Sequence, residues 1–273
     1  MRLAAVVTAL AVAASGAAAR HQEAAEVTTP GKLFAPRDVD VLVGTSVTWR
    51  NVDTATHTVT EDDDVFDSGH IRPGGSFSET FSEPGAFAYH CSIHRFMRGT
   101  VHVFEVVLRG PPEPLRPGRR ARLEGLAPAG VGEVVLERLS PGPAAVVGRA
   151  SPGTGGAFVF TVRSREPERY RARAGSATSP VVRVAVEPRV AVASRTRGIA
   201  VSAFPARPGS RVLLQEYDRE SFDFVTVARG RLDRSSHATI AYRPTARTQV
   251  RAVVRGSQGW SDGVSRTISV RPR

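Results

Sequence analysis

Cysteine is almost absent from this 273-residue sequence, which contains only Cys91. A single thiol excludes an internal disulfide, so Cys91 is an inert buried thiol, an intermolecular partner, a nucleophile or a metal ligand. Lysine is equally scarce, because every basic residue except Lys32 is arginine. Methionine occurs twice, and one copy is the initiator, so the position of Met97 is itself informative.

Long apolar runs are missing beyond the first segment of the chain. There, Arg2 precedes an apolar stretch from Leu3 to Ser15, and small residues up to Ala19 follow it. This pattern predicts a signal peptide over residues 1–19, with an uncleaved anchor as the alternative. We therefore expect an exported protein, secreted or periplasmic, with no integral membrane segment once the peptide is cleaved.

The net charge of +11 is unevenly distributed. Residues 20–107 hold 7 basic and 13 acidic side chains, whereas residues 108–273 hold 29 and 13. Such a split favours separate modules over one continuous fold. The arginine-rich part suits contact with anionic polymers of the cell envelope, or it is simply a soluble spacer. Export argues against nucleic acid as a partner.

No part of the sequence has a sustained helical period, and short strands between turns account for residues 27–107. Polar and apolar residues alternate in several of these segments, as expected for half-buried strands. The predicted strands are Val39–Val43, Ser46–Asn51, His57–Thr60, Ala86–Cys91 and Gly99–Val107. This stretch predicts a small all-β sandwich.

Beyond a proline-rich linker at residues 108–118, the chain repeats itself at a spacing of about 80 residues. Val134–Leu139 resembles Val212–Tyr217, and Tyr170–Gly175 resembles Val250–Gly256. Short strands between Gly, Pro and Ser turns predict two immunoglobulin-like β-sandwich modules, at residues 119–187 and 188–273. These modules have no paired cysteines, so the likeness is one of architecture.

The segment with the clearest chemistry places Cys91, His94 and Met97 in the pattern C-x2-H-x2-M, between two predicted strands. His57 lies upstream on a different strand. Thiolate and thioether are soft donors that suit Cu(I), and imidazoles serve both copper oxidation states. Two His and one Cys with a weak axial Met define a blue-copper site, so the pattern favours one copper ion.

Other sites fit these residues less well. A zinc site would favour more thiolates or carboxylates and would not recruit Met97. A Cys-His nucleophile pair would need a third, orienting group, and none is evident. Multicopper catalysis would need further His donors, yet the chain has no His-x-His pair. We therefore predict that the protein is not an enzyme. The remaining histidines are predicted bystanders, with His70 the first to check: His21, His70, His90, His102 and His237.

The same region resembles the cupredoxins, the plastocyanin and azurin family, with a short amicyanin-like loop. The motifs that carry the resemblance are Val47–Asn51, Phe66–Gly69, Pro73–Phe77, Pro84–Gly85 and Tyr89–Cys91. The resemblance covers residues 27–107 and implies a Greek-key β-sandwich. It also implies that the copper ligands are His57, Cys91, His94 and Met97.

One position departs from the family pattern. Many relatives carry Asn directly after the first histidine, where it braces the cysteine loop, and this sequence has Thr58. A hydroxyl at Thr58 or Ser92 is the expected substitute.

The implied function is one-electron transfer to or from a partner protein of unknown identity. His94, between the apolar residues Ile93 and Phe96, is the expected electron port. The acidic run Glu61–Asp64 would steer a basic partner, or it is a solvated turn. The alternative function is copper scavenging or delivery, or a copper-stabilised binding module at the cell surface.

Overall fold

The computed structural model describes residues 24–272, and the predicted signal peptide at residues 1–19 lies outside this range. Strands make up nearly all of its regular structure, together with one 3-10 turn at Thr154–Gly156. Among the described residues, no helix is long and apolar enough to cross a membrane. The all-β fold class predicted from the sequence is confirmed.

The first domain is a sandwich of two sheets. Its strands are β1 (Ala24–Thr28), β2 (Asp38–Leu42), β3 (Ser46–Arg50), β4 (Thr60–Glu61), β5 (Ser76–Thr80), β6 (Gly85–His90) and β7 (Arg98–Phe104). One sheet has the order β1-β3-β5 and the other β2-β7-β6-β4. The pairs β1–β3 and β2–β7 are parallel, and the remaining pairs are antiparallel.

Alternating polarity explains how these strands bury one face. In β3, Val47 and Trp49 are fully buried between polar neighbours, as strand geometry requires. The Trp49 ring meets the Tyr89 ring edge-on at 5.2 Å between centroids. Gly99 is needed beneath this pair, because a Cβ there would lie 2.5 Å from the Tyr89 ring. Aromatic packing at the centre therefore fixes how β6 and β7 approach each other.

The predicted strand His57–Thr60 is shorter than expected. His57 forms only an isolated bridge to Ile71, and β4 contains two residues. The backbone amides in between are used elsewhere, since Thr58 N points at Cys91 Sγ and Val59 N donates to Ser68 Oγ. In this segment, contacts with the cysteine loop and with Ser68 replace the hydrogen bonds of a sheet.

Two further sandwiches follow. The middle sandwich contains β8 (Val107–Arg109), β9 (Arg119–Leu126), β10 (Val134–Ser140), β11 (Ala145–Ala150), β12 (Ala157–Ser164), β13 (Glu168–Ala174), β14 (Ala177–Thr178) and β15 (Val182–Val184). The last sandwich contains β16 (Arg189–Arg195), β17 (Gly198–Phe204), β18 (Arg211–Asp218), β19 (Asp223–Arg231), β20 (His237–Ile240), β21 (Thr248–Val254), β22 (Gly263–Val264) and β23 (Ile268–Val270). Each pairs a three-stranded sheet with a five-stranded one, in the orders β12-β9-β8 with β11-β10-β13-β14, and β16-β17-β20 with β19-β18-β21-β22. In the five-stranded sheets, β15 also pairs β13 and β23 also pairs β21.

The junction between the first two units differs from the predicted boundaries. Val107–Arg109, which we placed across the end of the first domain and the linker, pairs with β9, and Leu108 packs in the core of the middle sandwich. A short run of consecutive apolar residues fits either sheet, so the sequence alone did not assign it to one of them. We propose Glu105 as the boundary.

The position of this junction also determines which end of the first domain the middle sandwich leaves uncovered. Strand β7 begins one residue after Met97 and ends at Phe104, so the middle sandwich attaches at the end remote from the Cys91 loop. There Arg109 is paired with Asp40 of β2 at 3.4 Å.

Candidate metal centre

The loop between β6 and β7 is closed by its own backbone. Cys91 N donates to Met97 O at 3.1 Å, and Met97 N donates to His94 O at 2.8 Å. These two hydrogen bonds fold the C-x2-H-x2-M segment into a tight turn. The turn brings its cysteine, histidine and methionine to one end of the sandwich.

His57 reaches the same end from a separate loop. Its backbone exchanges two hydrogen bonds with Ile71, at 3.1 and 2.8 Å. Asn51 supports this loop from below, because its buried side chain donates to Ala55 O and Ile71 O and accepts from the Thr29 hydroxyl. The protein's own hydrogen bonds therefore fix the backbone around His57 from two sides, without help from a ligand.

Three donor atoms converge where these loops meet. Cys91 Sγ lies 3.9 Å from His57 Nδ1 and 3.7 Å from His94 Nδ1, and all three atoms are within 4.8 Å of one another. Metal bonds to nitrogen and sulfur are about 2.0–2.3 Å long, so donors that share one ion lie a little under 4 Å apart. The spacing fits a single ion.

Burial separates the donors into an inner and an outer group. His57, Cys91 and Met97 are buried, and Met97 belongs to the same core cluster as Cys91. His94 is only half-buried, and its neighbours Ile93 and Phe96 are exposed. The four side chains have the arrangement of a type 1 copper site.

Asp53 orients the His57 ring, and sequence reasoning missed it. Its Oδ2 lies 3.1 Å from His57 Nε2. The Thr54 amide, followed by the His57 ring and the Lys32 amide, holds the pKa of Asp53 below its usual value. A carboxylate at Nε2 places the ring proton there and leaves the Nδ1 lone pair facing Cys91. No sequence spacing identified this acid.

The His94 ring is also held in the form that binds metals. Desolvation, followed by the nearby charges of His57 and Lys32, lowers the pKa of His94. A lowered pKa favours the neutral imidazole, which has a lone pair to donate.

Thr58 braces the cysteine loop in the manner expected of a hydroxyl. Its Oγ1 accepts a 2.7 Å hydrogen bond from Ser92 N, and its own backbone N–H points at Cys91 Sγ at 3.4 Å. The Thr60 hydroxyl lies 3.2 Å from Thr58 Oγ1 and 2.9 Å from Ser92 Oγ. The expectation that a hydroxyl replaces the usual Asn is met by Thr58.

The remaining described histidines lie outside the donor cluster, which contains His57, Cys91 and His94. His70 is exposed, and His90 Nδ1 lies 2.6 Å from Asp62. His102 stacks on Phe104, and His237 contacts the Ser235 carbonyl. His21 lies outside the described residues.

The acidic run Glu61–Asp64 forms a turn in which the carboxylates of Glu61 and Asp62 have partners. Glu61 is buried, and its Oε2 accepts from the amides of Asp63 and Val65. Asp62 contacts His90 and, at 3.5 Å, Arg98. These contacts fit the interpretation as a solvated turn, in which Asp63 and Asp64 are exposed, and steering of a basic partner stays a prediction.

Comparisons with known proteins agree with this geometry. Residues 2–103 match the model of the cupredoxin-like domain family. The chain is 32% identical over 110 residues to amicyanin-alpha of Methylorubrum extorquens, and the match covers 35% of this chain and 88% of that protein.

Two solved structures match a similar share of this chain at similar sequence identity. A novel purple cupredoxin from Nitrosopumilus maritimus is 29% identical, covering 29% of this chain and 98% of its own, with a TM-score of 0.28. A reduced tryptophan-to-tyrosine mutant of amicyanin is 30% identical, covering 30% and 82%, with a TM-score of 0.29. Through its N-terminal third, the chain therefore belongs to the cupredoxin family, whose cofactor is one copper ion.

Proposed function

We propose that the protein is an exported one-electron carrier in which His57 Nδ1, Cys91 Sγ, His94 Nδ1 and the Met97 thioether bind one copper ion. The observation that carries the proposal is the convergence of both imidazoles on the buried thiol of Cys91, at 3.9 and 3.7 Å. When bound, copper supplies a one-electron couple between its +1 and +2 states.

The protein's own contribution is a fixed and largely dry donor set. The two backbone bonds inside the Cys91–Met97 loop, together with the Thr58 hydroxyl, tie the loop to the His57 strand. Donors held from two separate stretches of chain change little in position between oxidation states. A small rearrangement favours fast electron transfer, which suits a carrier better than a storage protein.

The surface around His94 is the proposed contact with the redox partner. Ile93 and Phe96 are 47% and 70% exposed, and both flank the half-buried imidazole. The middle sandwich is attached at the other end of the domain, so it leaves this surface open. Exposed apolar side chains around a redox-active group favour brief docking with a protein partner.

Spectroscopy of the copper-loaded protein tests the ligand assignment. The Cu(II) form should show an intense visible thiolate-to-copper band, and Cys91→Ala should abolish it. His70→Ala is the matched control, since His70 is exposed and outside the donor cluster. A band that survives in Cys91→Ala, or disappears in His70→Ala, would refute the assignment.

Electrochemistry separates the carrier from the alternative of copper delivery, which the two additional sandwiches motivate. A carrier gives a reversible one-electron wave and keeps its copper through repeated cycles. Stoichiometric transfer of the metal to an apoprotein, without a reversible wave, would favour delivery and overturn the carrier proposal.

A further inference from the structure

A concave site of about 370 Å³ lies on the last sandwich, far along the chain from the copper centre. It forms at one end of the five-stranded sheet, where β18 ends and β21 begins. Its lining residues are Tyr217, Arg219, Arg247, Thr248, Gln249 and Ser269. We propose that this site binds an acidic sugar unit of an anionic polysaccharide.

The charge of the site favours an anion. Arg219 and Arg247 are exposed, neither forms an ion pair within residues 24–272, and no carboxylate lines the site. Arg247 Nε donates to Ser269 Oγ at 3.2 Å, which orients its guanidinium. Arginine forms paired, charge-assisted hydrogen bonds with carboxylates, sulfates and phosphates. An arginine oriented in advance loses less side-chain entropy when it binds such a group.

The remaining lining residues favour a sugar over a bare anion. Tyr217 is half-buried, and its ring packs edge-on against Phe224 at 5.3 Å between centroids. A supported aromatic ring offers a flat apolar surface to the C–H face of a sugar. Thr248 and Gln249 add hydroxyl and amide groups that both donate and accept hydrogen bonds. Small-molecule sites generally combine an aromatic surface with a few placed polar groups in this way.

The middle sandwich shows that the fold does not require these side chains. Aligning β10 with β18 places Leu139 at the position of Tyr217 and Pro141 at that of Arg219. Aligning β13 with β21 through their pairing registers places Pro167 at the position of Arg247. The middle sandwich instead carries Arg169 and Arg183 at the positions of Gln249 and Ser269. The aromatic ring and this placement of the two arginines are therefore specific to the last sandwich, which supports a binding role for them.

The test uses full-length, copper-loaded protein and isothermal titration calorimetry. The probes are oligogalacturonate, which carries carboxylates, a heparin-derived oligosaccharide, which carries sulfates, and a neutral malto-oligosaccharide. We expect saturable binding of at least one charged probe and none of the neutral one. Binding of neither charged probe overturns the proposal, and so does equal binding of the neutral sugar.

Matched variants show whether the site itself carries the binding. Arg219→Gln combined with Arg247→Gln should weaken binding about tenfold or more, because both charge-assisted contacts are lost. Tyr217→Leu, which introduces the middle sandwich's residue, should weaken it about fivefold through loss of the aromatic contact. The control is Arg195→Gln with Arg197→Gln, which removes the same charge from exposed positions around the β16–β17 turn. An equal loss in this control would show general charge attraction and refute the site.

Two further binding experiments test whether the anion comes from a source other than a polysaccharide. Inorganic phosphate and vesicles of anionic phospholipid should not show binding that depends on Tyr217. If vesicles bind in a Tyr217-dependent way while both charged glycans do not, the site recognises a lipid headgroup and the proposal is wrong. The visible copper band should be unchanged in every variant, so failure here is distinguishable from failure of the copper assignment.

Discussion

The first domain and the two sandwiches bury polar side chains in different ways. In the first domain, Asn51, His57 and Thr58 are all buried near the loops of the metal centre. In the middle sandwich, a buried carboxylate of Glu168 accepts from the hydroxyls of Ser164 and Tyr170 at 2.6 and 2.5 Å. The Glu168 carboxylate is thus satisfied by protein donors, whereas the Nδ1 atoms of His57 and His94, among the described residues, face only the Cys91 thiol, at 3.9 and 3.7 Å.

This difference shows where metal binding is located in the molecule. Buried polar groups normally have hydrogen-bond partners. A cluster of buried donor atoms whose spacing suits a shared ion better than hydrogen bonds among themselves therefore marks a binding site. A change in the buried cores of the sandwiches should therefore alter stability and leave the copper spectrum unchanged. A change in the polar groups near the first domain's loops should alter stability and the copper spectrum together.

The largest expected effect is a loss of stability confined to the sandwiches. Leu136 and Leu214 occupy equivalent places, opposite Ala172 and Ala252 in register, and both are fully buried. Leu136→Ala and Leu214→Ala should each lower the free energy of unfolding of its own sandwich by about 2–5 kcal/mol, because each leaves a cavity. Differential scanning calorimetry measures this.

The visible copper band is the internal control for both leucine variants, and it should not change. A shifted or weakened band in either variant would show that the sandwiches support the metal centre. Such a result would contradict the distinction between the sandwiches, where core substitutions alter only stability, and the first domain, where they also alter the copper spectrum. A much smaller effect at one leucine would show that the two sandwiches are not packed alike.

Asn51→Asp tests the polar support beneath His57. The Asn51 amide donates to Ala55 O at 2.8 Å and to Ile71 O at 2.9 Å, and a carboxylate oxygen there would repel both carbonyls. We expect the first domain to lose about 3 kcal/mol of stability, since buried polar groups are left without partners. Copper affinity should fall as well, measured by competition with a chelator. Thr29→Val removes only the bond to Asn51 Oδ1 and should have the smaller effect on both.

Thr58→Val tests the brace on the cysteine loop. The substitution keeps the side-chain shape but removes the acceptor for Ser92 N, which should cost about 1–2 kcal/mol. The loop should loosen, with a shifted visible band and faster release of copper to a chelator. Thr58→Ser keeps the hydroxyl and should resemble the wild type. An unchanged band in Thr58→Val would show that the loop's own backbone bonds are sufficient.

The sequence predicted the parts of this structure that local pattern determines. Alternation identified the buried faces of strands such as β3, and the spacing from Cys91 to Met97 identified the loop donors. Asp53 was missed because its contact with His57 depends on how the 51–57 loop folds. The place of Val107–Arg109 was missed because a short apolar strand does not specify its partner. The immunoglobulin-like topology of the later modules stays a prediction.

Glu137 gives the smallest expected effect and the closest comparison between the sandwiches. Its carboxylate accepts from Arg171 at 2.7 Å and from Arg173 at 3.1 Å, whereas the equivalent Gln215 meets only Arg251, and Val253 replaces the second arginine. The hydrogen bond from Arg171, with help from Arg173, lowers the pKa of Glu137 below 4.5.

Because the folded-state pKa of Glu137 is depressed, its stabilising contribution is present above the carboxyl's ordinary pKa of 4.5 and is lost as the pH falls through the folded value. Glu137→Gln should therefore cost about 0.5–1 kcal/mol at neutral pH, a small amount because both arginines are partly exposed to solvent. The gap between variant and wild type should close in acid, as followed by thermal unfolding at a series of pH values. Gln215→Glu in the last sandwich should introduce a weaker acid dependence, because one arginine rather than two is available to it. If Glu137→Gln were as costly in acid as at neutral pH, the carboxylate would act through packing and not through its charge.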